Sequence, residues 1–207
     1  MNDKNDKSNL YKLNRDFYNR DTLLVAEELI GKILVYNNNG YILSGRISET
    51  EAYIGAVDKA SHCYGGKITE RNKTLFGPPG HTYVYMIYGM YYCMNVVTEQ
   101  EGCGSGVLLR GMIPLENIDM MCLNRYNKHL NEISKTQLKN LSNGPGKLCK
   151  ALNITKKEND IDLIKEEIYI LNDGYKNYEI EHTKRINIDY AEEAKDFMWR
   201  FLMKQRS

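Results

Sequence analysis

Two periods of apolar spacing alternate along this chain, and punctuation by Gly, Pro and Asn separates them. Asp21 precedes an apolar-periodic run from Leu23 to Ile30, and Gly31 follows it. That arrangement predicts a helix with an N-terminal side-chain cap and a glycine stop. Ile33–Tyr36 and Tyr41–Tyr53 are extended runs flanking Asn37-Asn38-Asn39-Gly40, the signature of a β-hairpin. Residues 56–80, with Gly65-Gly66 and Gly77-Pro78-Pro79-Gly80, read as a long ordered loop of the kind that carries function. Thr82–Tyr85 and Tyr91–Thr98 read as strands, with Ile87, Tyr88 and Met90 at the tip between them, beside Gly89. Val107–Ile113 reads as another strand, Pro114 as the start of a helix to about Tyr126, and residues 127–141 as a loose surface loop. Ser142-Asn143-Gly144-Pro145 opens a further helix through Leu152. Ile168–Leu171 and Arg185–Ile188 read as late strands; residues 191–204 carry helical periodicity, with a strand after Trp199 as the alternative. The mix predicts one α+β domain built on a largely antiparallel sheet.

Composition narrows the class. A chain of 207 residues, 42% hydrophobic and 27% charged, has enough material for one well-cored domain. The polar, mixed-charge opening has no apolar stretch of a signal peptide and reads as a disordered lead-in over residues 1–10. No run approaches the roughly 20 apolar residues of a membrane span, so a soluble intracellular protein is expected. The five cysteines are odd in number and form no CxxC pair, which favours buried free thiols in a reducing compartment over a disulfide framework or a structural zinc site. Net charge is +1, so any nucleic-acid contact must come from a local patch. Lys67, Arg71 and Lys73 form one candidate cluster; Lys184, Arg185, Arg200, Lys204 and Arg206 form another, and on charge alone ordinary solvated surface is the favoured reading of both. The unusual quantity is tyrosine: 16 in all, with Tyr83, Tyr85, Tyr88, Tyr91 and Tyr92 in one ten-residue stretch. Such density suits a half-exposed sheet or a base-stacking surface.

The strand ending at Tyr53 carries the candidate chemistry. Strict alternation puts Ile47, Glu49, Glu51 and Tyr53 on one face and Arg46, Ser48, Thr50 and Ala52 on the other. If the first face points inward, at least one carboxylate is partly desolvated, and such a group is either paired structurally or held for chemistry. No GxxxxGK[ST], HExxH or GxSxG motif is present. Glu51, His62 and His81 offer a two-His, one-carboxylate metal set only by generic spacing. A non-catalytic single-strand binder using the tyrosines as a stacking platform is a further alternative, but it has no use for Glu51 on the face of Tyr53.

Five blocks in order resemble the alkylpurine (3-methyladenine) DNA glycosylase family. They are Arg46–Gly55 (RISETEAYIG); Asp58, His62, Gly66, Thr69 and Arg71-Asn72; Tyr83–Met90 (YVYMIYGM) closing with Cys93–Val96; Val107–Arg110; and Asn143–Cys149 (NGPGKLC). The resemblance spans roughly residues 15–201. It implies a single glycosylase domain over 11–207, a curved, largely antiparallel sheet with flanking helices and a protruding β-hairpin. It also implies a monomer that acts on double-stranded DNA carrying damaged purines, alkylated and by extension deaminated, with no metal and no organic cofactor. Glu51 matches the carboxylate that deprotonates the attacking water and stabilises an oxocarbenium-like transition state; its ordinary structural explanation is a salt bridge to Arg46 or Arg110. Arg110 matches the arginine that helps hold that water. Tyr53, His62 and Tyr85 match the walls of the base pocket, where electron-rich rings favour a cationic purine. Asn95 matches the residue that crowds guanine's 2-amino group. Tyr88 matches the wedge that fills the gap left by a flipped nucleotide; folding of the tip back onto the core is its ordinary alternative. The chain departs from the family pattern in a longer stretch between Asn95 and Arg110, in Leu75 where methionine is common, and in ending soon after Trp199-Arg200-Phe201.

Overall fold

Asp21 does cap a helix. The computed structural model describes residues 10–38 and 40–206, so all but Leu10 of the expected lead-in, and Asn39 of the Asn-Gly turn, lie outside the described residues. A short strand Tyr11–Lys12 (β1) and a one-turn helix Arg15–Tyr18 (α1) lead to α2, Thr22–Leu29. The Asp21 carboxylate accepts from the amides of Leu23 and Leu24, both at 3.0 Å, which satisfies two of the orphan donors of the first turn. Gly31 stops the helix at φ +86°, and a Cβ there would lie 2.5 Å from the Tyr178 hydroxyl, so both backbone and space demand glycine.

The strands that follow are Ile33–Asn38 (β2), Tyr41–Tyr53 (β3), Thr82–Ile87 (β4), Tyr91–Thr98 (β5) and Ser105–Glu116 (β6). After helices Ile118–Tyr126 (α3), Lys135–Lys139 (α4) and Pro145–Leu152 (α5) come Ile168–Asn172 (β7), Tyr178–Thr183 (β8) and Arg200–Gln205 (β9). Among the described residues all nine strands join one sheet in the order β1-β7-β2-β3-β6-β5-β4, and β9 pairs β3 while β8 pairs β9. Every ladder is antiparallel. The fold is therefore α+β as expected. β3 is its axis: β2 holds its first half, β9 its second half at Glu49–Glu51, and β6 its other edge. The main core packs α2, α3 and α5 on the sheet through Leu29, Ile47, Leu109, Met121, Leu148 and their neighbours.

Two bulges correct the simple alternation read from sequence. Between Ile47 and Glu49, β3 advances two residues while β6 advances one; between Glu49 and Thr50 it is β6 that carries the extra residue, Arg110. An inserted residue reverses which face later side chains take. Ile47 accordingly lies in the same core as Ala52, although their parity differs. Glu49, Glu51 and Tyr53 are left together on the other face, and Leu109 and Met112 join the core while Leu108 and Arg110 line a cavity.

Three local expectations fail. Pro114 lies inside β6 opposite Gly45, and the helix begins at Ile118; β5 has stopped pairing by then, so the missing N–H falls on an unpaired edge. Residues 127–141 hold a one-turn helix at Leu130–Glu132 and α4. Arg185–Ile188 forms no strand; the strand is β8, just upstream. Of the two options for 191–204, a short 3-10 segment at Glu192–Asp196 precedes the strand β9.

Candidate active site

β3, β4, β5 and β6 bring their cavity-facing side chains together against the loop 54–80 and the segment 185–190. The cavity they enclose is about 780 Å³. Tyr53, His62, Tyr85, Tyr88, Asn95 and Arg110 all line it. Six residues separated by up to 57 positions thus converge on one space.

Glu51 lies immediately behind the wall. Its side chain has no exposure, yet it is not orphaned. Oε1 accepts from the Ile186 N–H at 2.8 Å, and Oε2 accepts from the Tyr53 hydroxyl at 2.8 Å and from Arg110 Nη1 at 3.4 Å. All three partners line the cavity. Burial pushes the Glu51 carboxyl above the ordinary range; Arg110, the Ile186 amide and the Tyr53 hydroxyl pull it back, and the Glu49 charge adds to the rise. A carboxylate held this way keeps its proton affinity high while its hydrogen bonds fix its orientation, which is the requirement for a general base. Of the two structural partners considered from sequence, Arg110 is real and Arg46 is not: Arg46 pairs with Asp173 at 2.7 Å.

The aromatic wall is tightly organised. His62 meets Tyr85 edge-on at 4.6 Å between centroids, and Tyr83 stacks on Tyr85 at 5.2 Å. His62 Nδ1 shares a hydrogen bond of 3.0 Å with the Tyr83 hydroxyl. Burial, with help from Arg71, lowers the His62 imidazole to about 4, so it is neutral at physiological pH. Asn72 anchors the loop by donating from Nδ2 to the carbonyls of His62 at 2.8 Å and Lys67 at 3.0 Å. Asn95, opposite Tyr83 in the ladder, donates to the Tyr83 carbonyl at 3.1 Å and still lines the cavity.

The hairpin β4–β5 ends in an apolar tip. Tyr88 takes φ +50° and Gly89 φ +68°, and Tyr88 is 76% exposed. Met86 and Met90 are exposed beside it. The tip does not fold back onto the core.

The chemistry missed from sequence lies in the supports. Ile186 serves through its backbone N–H, which no side-chain motif reveals. Arg185, expected as a surface cation, is buried against Asp58 at 2.5 Å and also bonds the carbonyls of Ala52 and Ala194. Its guanidinium sits 4.7 Å from the Tyr53 ring and 5.0 Å from the Trp199 ring. The rest of that presumed basic cluster is neutralised too: Lys184 by Asp196, Arg200 by Glu49, Lys204 by Glu181 and Arg206 by Glu179. From the other cluster Arg71 reaches the cavity, 5.5 Å over the Tyr85 ring, while Lys73 pairs with Glu70. Arg125 and Lys147 line the cavity rim and, among the described residues, have no carboxylate partner. The His-carboxylate metal set does not assemble: His62 is committed to Tyr83 and His81 to Asp160 at 3.0 Å. Four cysteines are buried, and Cys103 is exposed. No helix is long and apolar enough to cross a membrane among the described residues.

The model of the methylpurine-DNA glycosylase family matches residues 16–207. A protein of Alkaliphilus oremlandii is 57% identical over 193 residues, covering 93% of this chain and 96% of the relative. One of Clostridium perfringens is 57% identical over 196 residues, with coverage of 93% and 96%. One of Clostridium botulinum is 48% identical over 197 residues, with coverage of 95% and 97%. Each bears the name "putative 3-methyladenine DNA glycosylase".

Proposed function

The chain belongs to the methylpurine-DNA glycosylase family, and on that premise we propose that it flips damaged purines out of duplex DNA and hydrolyses their N-glycosidic bond with a water activated by Glu51. The observation that carries this reading is the Glu51 carboxylate, buried and triply held at the back of an aromatic cavity beneath an exposed apolar tip. The extruded base enters between Tyr53 and the His62–Tyr85 wall, where π-faces suit a cationic or electron-poor ring. Neutral His62 adds no repelling charge. Arg110 and Glu51 hold the water; Glu51 takes its proton as the glycosidic bond breaks, and its charge faces the developing oxocarbenium. Asn95 narrows the pocket against guanine's 2-amino group. Water is the nucleophile, so free base and an abasic site are the products and no strand cleavage follows. The substrates are alkylated purines, with deaminated purines as a second class. Neither metal nor organic cofactor takes part, and the enzyme acts as an intracellular monomer. Incubation with duplex DNA carrying one 3-methyladenine or one hypoxanthine, in excess chelator, tests the reading directly. Free base with an intact strand supports it; its absence on both duplexes rejects it.

Tyr88 is the wedge in this reading, and its substitution should affect flipping more than chemistry. Tyr88→Ala is expected to slow base release about ten-fold or more when the lesion sits in a stable pair. The loss should be smaller for a lesion in a mismatch or single strand, where unstacking costs less. Equal losses on both substrates would remove Tyr88 from this role.

The two lesion classes should also differ in pH dependence. A purine methylated at N3 or N7 already carries positive charge and can leave without protonation, whereas hypoxanthine needs a proton from an acid. The cationic lesion should therefore follow Glu51 alone, its rate rising to a plateau through a pKa above the ordinary carboxylate range. The neutral lesion should give a bell. His62 titrates at about 4 and adds no limb near its usual 6.5. Single-turnover profiles on the two lesions decide this; two bells of one shape mean that acid assistance is obligatory.

A further inference from the structure

Four charges alternate across the sheet on the cavity face: Arg200 on β9, Glu49 on β3, Arg110 on β6 and Glu51 on β3. Glu49 Oε1 accepts from Arg200 Nε at 2.7 Å and from Arg110 Nε at 2.8 Å. Arg110 in turn reaches Glu51 with Nη1 at 3.4 Å. Arg110 is the extra residue of a bulge, so its backbone is not set by regular ladder pairing. Its shorter hydrogen bond is the one to Glu49, and that bond takes the Nε–H, which leaves the two terminal nitrogens for Glu51 and the cavity. All of these side chains are largely buried, with Glu49 at 16%, Arg110 at 11% and Arg200 at 18% exposure. Solvent screening of the chain is correspondingly weak.

We propose that Glu49 is the positioning residue of Arg110, and that the Arg200–Glu49 pair makes the C-terminal strand part of the site by clamping Arg110 against Glu51. The proposal rests on the glycosylase reading, because it assigns Arg110 to the reacting water. It gives Glu49 two effects. The first is geometric: without its acceptor, Arg110 can swing away from Glu51, and misplacement of about 1 Å at a reacting centre costs on the order of 100-fold. The second is electrostatic. The groups facing Glu51 are Tyr53 and Glu49 on its own strand, Arg110 from β6, Cys93 from β5 and Tyr190 from the segment beyond Ile186. Glu49 is the carboxylate among them. Its removal deletes a like charge, which favours ionised Glu51 as long as Arg110 keeps its place.

The test compares Glu49→Ala and Glu49→Gln with wild type in single-turnover release of 3-methyladenine from duplex DNA across pH. In parallel, carboxyl 13C NMR follows the Glu51 titration, with its resonance assigned by loss in Glu51→Gln. Glu49→Ala is expected to lower the plateau about ten- to hundred-fold. Glu49→Gln, whose carbonyl still accepts from Arg110, should lose less. Glu49→Gln, which keeps Arg110 in place while deleting the like charge, should move the acid limb and the Glu51 titration to lower pH. A purely structural Glu49 would lower the melting temperature but leave plateau and limb unmoved, and that result in a folded variant overturns the proposal. If Glu49→Ala does not fold, an unmoved limb and titration in Glu49→Gln overturn it equally. A wild type that releases no base rejects the glycosylase reading, while the NMR titration still reports whether Glu49 governs Glu51.

Discussion

Replacing Glu51 by Gln is expected to reduce base release by roughly 10²–10⁴-fold, with a larger loss if the carboxylate charge also stabilises the transition state. Lesion-containing duplex should still bind, because Tyr53, His62, Tyr85 and the Tyr88 tip are unchanged. The substitution is nearly isosteric, and a glutamine can keep one oxygen for the Ile186 N–H and the other end near Tyr53. Stability separates lost chemistry from lost structure. The Glu51 carboxyl is raised in the folded state, so the fold binds this proton more tightly than the unfolded chain does. The stability that the protonated group contributes is present below the ordinary carboxylate value and is lost as pH rises through the raised one. At neutral pH the native charge is therefore a net cost, and Glu51→Gln should melt at or above the wild-type temperature. Measured base release within a few-fold of wild type would falsify the assignment of Glu51 as base. A strongly lowered melting temperature would show instead that the carboxylate is chiefly structural.

Much of this site was legible in the sequence, and the reasons are physical. Caps and turns follow from local chemistry, so Asp21, Gly31 and the β4–β5 tip were readable from single residues. The ordered blocks around His62, Tyr85, Asn95 and Arg110 named cavity-lining side chains, and the block at Glu51 the carboxylate just behind them, because side-chain identity is what such blocks record. What escaped was decided by backbone and pairing. A bulge inserts one residue with no compositional mark, so the face of Ile47 was misjudged from strict alternation. Arg185 looked like one more surface cation because sequence shows the charge and not the burial; its partner Asp58 lies 127 positions away. The missing strand at 185–188 has a backbone cause: the Ile186 N–H is spent on the Glu51 carboxylate and is not free for a ladder. Residues 191–204 carry helical spacing with a strand after Trp199 as the alternative, and only the open edge of β3 at Glu49–Glu51 selects the strand.

The largest stability effect should come from Asp58, which forms the most enclosed ion pair in the described structure. Both side chains of the Asp58–Arg185 pair have no exposure. Arg185 donates to both Asp58 oxygens, at 2.5 and 2.8 Å, and Asp58 also accepts from the Ala60 N–H at 2.9 Å. Asp58→Ala leaves a guanidinium buried between Tyr53 and Trp199 with only the carbonyls of Ala52 and Ala194 as acceptors. Breaking a buried pair from one side costs about 3–5 kcal/mol, a large part of the roughly 5–15 kcal/mol that holds a domain together. Chemical denaturation should therefore show a midpoint far below wild type. Removing both partners is a different experiment. In Asp58→Ala/Arg185→Met no charge is left uncompensated, and the methionine can fill part of the space between the two rings, so the double variant should recover a substantial fraction of the loss. Activity should not recover with it, because Arg185 also anchors the segment that delivers the Ile186 N–H to Glu51. A single-variant cost below about 1 kcal/mol, or a double variant no more stable than Asp58→Ala, would mean that the pair is not what holds this part of the site in place.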